Sequence, residues 1–146
     1  MLGLWSLVRF LHVVGAIFWV GGQLTVSVLV LPIARRQLAG PQLSALLRTV
    51  GKRLGILTVA AFIPLQLATG IALAWHKGVT WDSLAEPGYG RTLAGKLVAF
   101  VLVMLASGLH GWLQGAGRRA LARSFAIASL VGSLVVVLLA TALPIS

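Results

Sequence analysis

Few residues in this chain can do chemistry. There are three histidines, His12, His76 and His110, two methionines, Met1 and Met104, no cysteine, and two carboxylates, Asp82 and Glu86. Lys96 lies inside an apolar run, and Arg9 and Arg91 stand near the starts of two such runs. An imidazole nitrogen can ligate a metal ion or serve as the axial ligand of a haem iron. A lysine or arginine beside it can neutralise an anionic group. The missing residue types narrow the field further. Without cysteine there is no disulfide, no Cys-x-x-Cys metal site and no thiolate ligand to haem. No Ser-His-Asp set, phosphate-binding loop or carboxylate pair is apparent, so hydrolysis and a proton relay built on acids are poor expectations, and enzymatic activity is not the leading one.

The elements that position these residues follow from composition. Of 146 residues, 59% are hydrophobic and 10% charged, whereas soluble domains average roughly 45–50% apolar and 25% charged. The chain therefore reads as an integral membrane protein. Four apolar runs, about Leu7 to Ala34, Leu54 to Trp75, Leu93 to Leu113 and Ser124 to Leu143, are each near the roughly 20 residues that cross a bilayer core as a helix. They predict an all-α fold, a single four-helix transmembrane bundle over residues 1–146. A removable signal peptide is the rival reading of the first run, which is too long for it and ends in Pro32-Ile33-Ala34-Arg35-Arg36, a pattern of membrane exit. Between the first two runs, Leu43, Leu46, Leu47 and Val50 alternate with Arg48, Lys52 and Arg53 at helical spacing after Gly40-Pro41. This predicts a short helix lying in the headgroup region. The segment from Lys77 to Arg91 holds both acids and the turn residues Pro87, Gly88 and Gly90.

A net charge of +10 raises the question of nucleic acid, but the cations are placed by topology. Arg35, Arg36, Arg48, Lys52 and Arg53 follow the first run, and Arg118, Arg119 and Arg123 follow the third, so eight of the twelve cations fall on one side. The positive-inside rule makes that side cytoplasmic and both termini periplasmic, in a bacterial inner membrane. The expected partner of these charges is anionic lipid of the bilayer, with no nucleic acid involved.

Helical periodicity then sorts the polar residues into faces. His12, Gly15, Trp19, Gly22, Gln23 and Val26 share one face of the first helix, and Gln66, Thr69, Leu73 and His76 one face of the second, where Pro64 is expected to bend the helix. Lys96, Ala99, Phe100, Val103, Ser107 and His110 share a face of the third. The fourth offers Ser129, Gly132, Ser133, Ala140 and Thr141. Stripes of polar and small residues face protein in a membrane, where packing and hydrogen bonds replace the hydrophobic drive. Alternating the helices puts His12, His76, Lys96, Arg9, Arg91 and Trp81 toward the outer side and His110 near the cytoplasmic end. His12 and His110 should then differ in depth by roughly 20 Å, too far to share one metal. Each residue also has a plainer role to weigh. Lys96 can snorkel to the interface, His76 beside Trp75 and His110 beside Trp112 can be interfacial pairs, and Trp5, Trp75, Trp81 and Trp112 can be belt anchors. An ionisable residue facing a bundle interior is a functional hypothesis by default, and this sets His12 apart.

"LHVVGAIFWVGG" followed by "LVLPIARR", "LATGIAL" in the second run, "YGRTLAGKLVAF" opening the third and "SGLHGW" closing it resemble the CopD-like copper resistance family of small bacterial membrane proteins. The resemblance runs from about His12 to Arg119. It implies copper transport or resistance at the inner membrane, and the family positions that match are His12, Lys96 and His110. Copper(I) favours soft sulfur donors, which here come only from Met1 and Met104, so the expected copper ligands are His12 and His76, with Met104 in support. His110 is a further candidate metal or haem residue near the other face. A homodimer and a periplasmic copper or electron-transfer partner are implied as well. A histidine early in the first helix and a lysine early in the third also resemble the HemJ-type membrane proteins, which oxidise protoporphyrinogen with bound haem. That likeness implies haem b with His12 as axial ligand, Trp19 beside it, and Lys96, Arg9 or Arg91 neutralising propionates. Ala94-Gly95 precede Lys96 where that family's pattern has Trp-Leu-His-Ala. A third expectation is a non-catalytic membrane subunit whose polar stripes only pack helices.

Overall fold

The computed structural model describes residues 3–143, which are helical throughout apart from short turns, with no strand among them. Four helices are long and apolar enough to cross a membrane, spanning Leu4–Gln37, Gly40–His76, Tyr89–Gly115 and Arg119–Thr141. The first three outrun their apolar runs at both ends and the fourth at its start, because a charged helical turn has the same backbone as an apolar one and hydropathy marks only where the solvent changes. The fourth stops at Thr141, short of Leu143. Met1, one of the two thioethers, and the C-terminal Ser146 lie outside the described residues.

The first two long helices are built in segments. Helix α1 (Leu4–Thr25) passes through a wide π-helical turn at Val26–Val30 into α2 (Leu31–Gln37), and α3 (Gly40–Leu57) passes through another at Thr58–Phe62 into α4 (Ile63–His76). Each turn ends two residues before a proline, Pro32 or Pro64. A proline inside a helix has no N–H to donate, and its ring strikes the carbonyl four residues back. Here the residue before each proline bonds five residues back instead, Leu31 N–H to the Val26 carbonyl and Ile63 N–H to the Thr58 carbonyl. The helix absorbs the proline by widening for one turn rather than breaking.

The short separate helix expected in the headgroup region is not separate. Residues 40–57 are the first half of a continuous helix of 37 residues. Nothing breaks the chain between Lys52 and Ile63, since single glycines such as Gly51 and Gly55 cost a helix only about 1 kcal/mol each and Pro64 is absorbed by the wide turn. The break falls earlier, at Leu38 and Ala39, both extended, and Pro41 then occupies the first turn of α3, where its missing N–H leaves nothing unpaired.

The residues cluster into two compact units, Met1–Lys77 and Gly78–Ser146. In the first, α1 packs antiparallel against α4, as residue contacts that run Trp5 to His76, His12 to Thr69 and Trp19 to Phe62 require. In the second, α5 (Tyr89–Gly115) packs antiparallel against α6 (Arg119–Thr141). Gly117, at φ +75°, ends α5 in a left-handed conformation with Arg118 N–H bonded to the Leu113 carbonyl at 2.9 Å. That six-to-one bond is the helix stop of a Schellman turn and reverses the chain within three residues.

Candidate functional site

The polar residues of the first unit meet across the α1–α4 interface. His12 Nδ1 lies 2.7 Å from Thr69 Oγ1, and the Thr69 hydroxyl donates to the Leu65 carbonyl at 2.6 Å. A hydroxyl has one proton, so the proton in the first bond belongs to His12. Nδ1 thus carries a proton, and in the neutral ring Nε2 is the nitrogen with the lone pair. Thr69 is buried and its hydroxyl is held in turn by its own helix, so the imidazole is fixed in both tautomer and ring plane.

Two glycines and a glutamine shape the ground around it. Buried Gln66 donates from Nε2 to the His12 backbone carbonyl at 2.7 Å. A side chain at Gly15 would put its Cβ 2.6 Å from that Gln66 nitrogen, and one at Gly70 would come within 3.3 Å of His12 Cε1. Glycine at these two positions lets an amide and an imidazole occupy the helix crossing. Below this cluster Trp19 stacks on Phe62, centroids 4.6 Å apart and planes 5° from parallel, while its Nε1 donates to Thr58 Oγ1 at 3.0 Å. Above it Trp5 stacks on His76 at 3.8 Å and 11°.

The sequence-derived candidates therefore divide. His12 and Trp19 share the expected face, but His76 is exposed, and Thr69, the partner of His12, precedes it by two turns, roughly 10 Å of helical rise. His12 and His76 do not converge on one ion. Arg9, one turn before His12 on α1, is exposed. In the second unit His110 donates from Nδ1 to the Ala122 carbonyl at 2.8 Å, tying the end of α5 to the start of α6. Arg91 is exposed and donates from Nε to the Ala85 carbonyl at 3.1 Å, fastening the Asp82–Ala85 turn to the start of α5. Lys96 and Met104 are partly buried on α5. Ser107 and Ser129 hydroxyls bond at 2.6 Å, and a Cβ at Gly132 would meet Val103 Cγ2 at 2.5 Å, so the small face expected of α6 is its packing face. Ala140 and Thr141, near the end of the helix, are exposed. Among the described residues no group of three or more His, Cys, Asp or Glu side chains gathers as a metal cage would.

Periodicity placed Thr69 on the right face but could not assign its bond to His12, which depends on the register of two antiparallel helices. Thr58 lies outside the polar faces that periodicity marks. A Trp on one helix face and a hydroxyl residue on the next apolar run is the signal that could have flagged it, because an indole N–H buried in apolar surroundings needs an acceptor.

No family model matches the chain, and no solved structure matches it. Over 118 residues it is 33% identical to a protein of Aquifex aeolicus (strain VF5) named "Uncharacterized protein", an alignment covering 80% of this chain and 73% of that one. The chain belongs to the family of that protein. The shared family fixes no activity, so function has to be argued from the His12 cluster itself.

Proposed function

We propose that the protein is a multi-pass protein of the bacterial inner membrane that handles copper as its cargo, with His12 Nε2 as the binding nitrogen. The observation that carries this reading is the His12–Thr69–Leu65 chain of hydrogen bonds. Metal-binding histidines usually donate the other ring N–H to an acceptor that fixes the tautomer and raises ligand basicity. Imidazole suits copper, although thioether and thiolate bind copper(I) more strongly. One imidazole does not complete a copper site, so two copies of the chain, each contributing His12, are part of the proposal. The two cation-rich segments lie on the cytoplasmic side and both termini on the periplasmic side. Reporters fused after Ser146 should then read as periplasmic, and reporters inserted near Gly117 as cytoplasmic.

One observation favours a second reading, a b-type haem protein with or without porphyrinogen oxidase activity. His12 stands without a second histidine beside it on this interface, and a haem iron, which brings four ring nitrogens of its own, needs few from the protein. His12 would hold the iron, and Arg9 would neutralise a propionate. Haem would supply one-electron chemistry at that position; the residues of the chain bind it, orient it and limit the access of water.

Detergent-purified protein separates these readings. Copper handling predicts bound copper by elemental analysis and no Soret band, and His12→Ala removes the copper while membrane levels stay normal. A Soret band that shifts on reduction and disappears in His12→Ala instead supports haem. Neither copper nor haem, in wild type supplied with both, would leave the His12 cluster as helix packing alone.

A further inference from the structure

The first unit has a second polar region that the His12 site does not use. Residues 1–77 include Arg9, Arg35, Arg36, Arg48, Lys52, Arg53 and Lys77 but no Asp or Glu. On α3 itself, Arg48, Lys52 and Arg53 have no carboxylate on the same helix beside them. Thr49, Lys52, Arg53, Ile56 and Leu57 line a shallow cleft on α3, wide open, whose walls all come from this one helix. Their spacing places all five on one face of the helix. The cleft is graded along the axis: a hydroxyl and two cations at one end, two branched aliphatic side chains one turn further on. Ile56 and Leu57 are exposed.

The grading falls where the long helix changes solvent. From Leu54 to Trp75 the helix is apolar for about 33 Å of rise, close to the thickness of a bilayer core. Lys52 and Arg53 therefore sit at the edge of the hydrocarbon, at the level of lipid phosphates, with Ile56 and Leu57 at the level of the first acyl carbons. Neither end explains the other in isolation. A soluble anion would use the cations and leave the aliphatic end exposed, while a lipid tail would use the aliphatic end and leave the cations unbalanced.

We propose that this cleft is a binding site for a single anionic phospholipid, its phosphate between Lys52 and Arg53 with the Thr49 hydroxyl as a further donor, and its acyl chain along Ile56 and Leu57. Arginine and lysine both recognise phosphate, arginine through its planar fork and lysine as a point charge. Polybasic segments at membrane surfaces gain severalfold in lipid affinity for each cation at this depth. The site is independent of what His12 binds.

The test uses the full chain in nanodiscs of phosphatidylcholine with one-fifth phosphatidylglycerol, then native mass spectrometry of the lipid retained after release. Wild type should retain phosphatidylglycerol well above its share of the bilayer. The double substitution Lys52→Gln/Arg53→Gln should lower that enrichment about tenfold or more, Lys52→Arg should keep most of it, and Arg35→Gln/Arg36→Gln, which removes the same charge elsewhere, should change it less than twofold. Circular dichroism of each variant confirms retained helix. Glycerophosphoglycerol, the same headgroup without tails, should not displace the lipid at concentrations equal to it, and Ile56→Ser/Leu57→Ser should weaken retention. Displacement by the tail-free headgroup would mean a soluble phosphate ester is the ligand and would overturn the lipid assignment. No enrichment in wild type, or equal loss from both charge-removing pairs, would show diffuse attraction and overturn the site.

Discussion

The two helix pairs solve the same problem by different means. Between α5 and α6 the contact is close and economical: Val103 sits over Gly132, Ser107 bonds Ser129, and Ser133 returns its hydroxyl to its own helix through the Ser129 carbonyl. Between α1 and α4, with the wide turn that leads into it, the contact is made by large polar and aromatic groups, an imidazole, an amide and two stacked ring pairs. Small residues are the usual way for apolar helices to approach in lipid, and they suffice for association. The α1–α4 interface has more polar and aromatic contacts than the α5–α6 one. Polar side chains also join membrane helices by hydrogen bonds, so the two pairs use the two ordinary means of association, small residues in one and polar contacts in the other.

Three substitutions would sharpen or break this contrast. The largest effect on stability is expected in the second unit, where Gly132→Leu drives a side chain into Val103. Overpacking of this kind costs about 1–3 kcal/mol, read as a lower midpoint in thermal or denaturant unfolding in detergent. A silent Gly132→Leu would mean that the α5–α6 contact is looser than described. Next is Thr69→Val, which keeps the side-chain shape and removes the acceptor for His12. It should weaken whatever His12 binds by about 10–100-fold, the usual effect of losing such an orienting partner, with helix content and membrane level unchanged. Equal binding in Thr69→Val and wild type would remove the reason to treat the first unit as the functional one. The smallest effect belongs to Ser107→Ala. Hydrogen bonds between membrane helices average about 0.6 kcal/mol, so the unfolding midpoint should fall slightly and bound metal or haem should not change at all.

The contrast also shows what could be read in advance. The apolar runs gave the four long helices, and the 3.6-residue period gave the faces that carry His12, Gly15 and Trp19 on α1 and Val103, Ser107 and His110 on α5. These are properties of single segments, and single segments are what periodicity reports. The ends of the helices were less legible: Arg48, Lys52 and Arg53 disguised the first half of a 37-residue helix as a separate element. Partnerships were least legible of all. That His12 donates to Thr69 while His76 stacks on Trp5 follows from the register between two helices, which no pattern within either one encodes.

The wide turns at Val26–Val30 and Thr58–Phe62 bear on how any such pattern is counted. A π-helical turn holds one residue more than an α-helical turn, so it acts on a helix as a one-letter insertion acts on a reading frame. Every position beyond it is set back by about 100° around the axis relative to an unbroken α-helical count. The face of α3 that bears Lys52 and Arg53 and the face of α4 that bears Gln66 and Thr69 are thus set by separate counts joined at Thr58–Phe62. Removing a single residue from that turn would leave each half with its own faces and rotate one against the other, turning the cationic cleft to a new bearing without altering any residue in it.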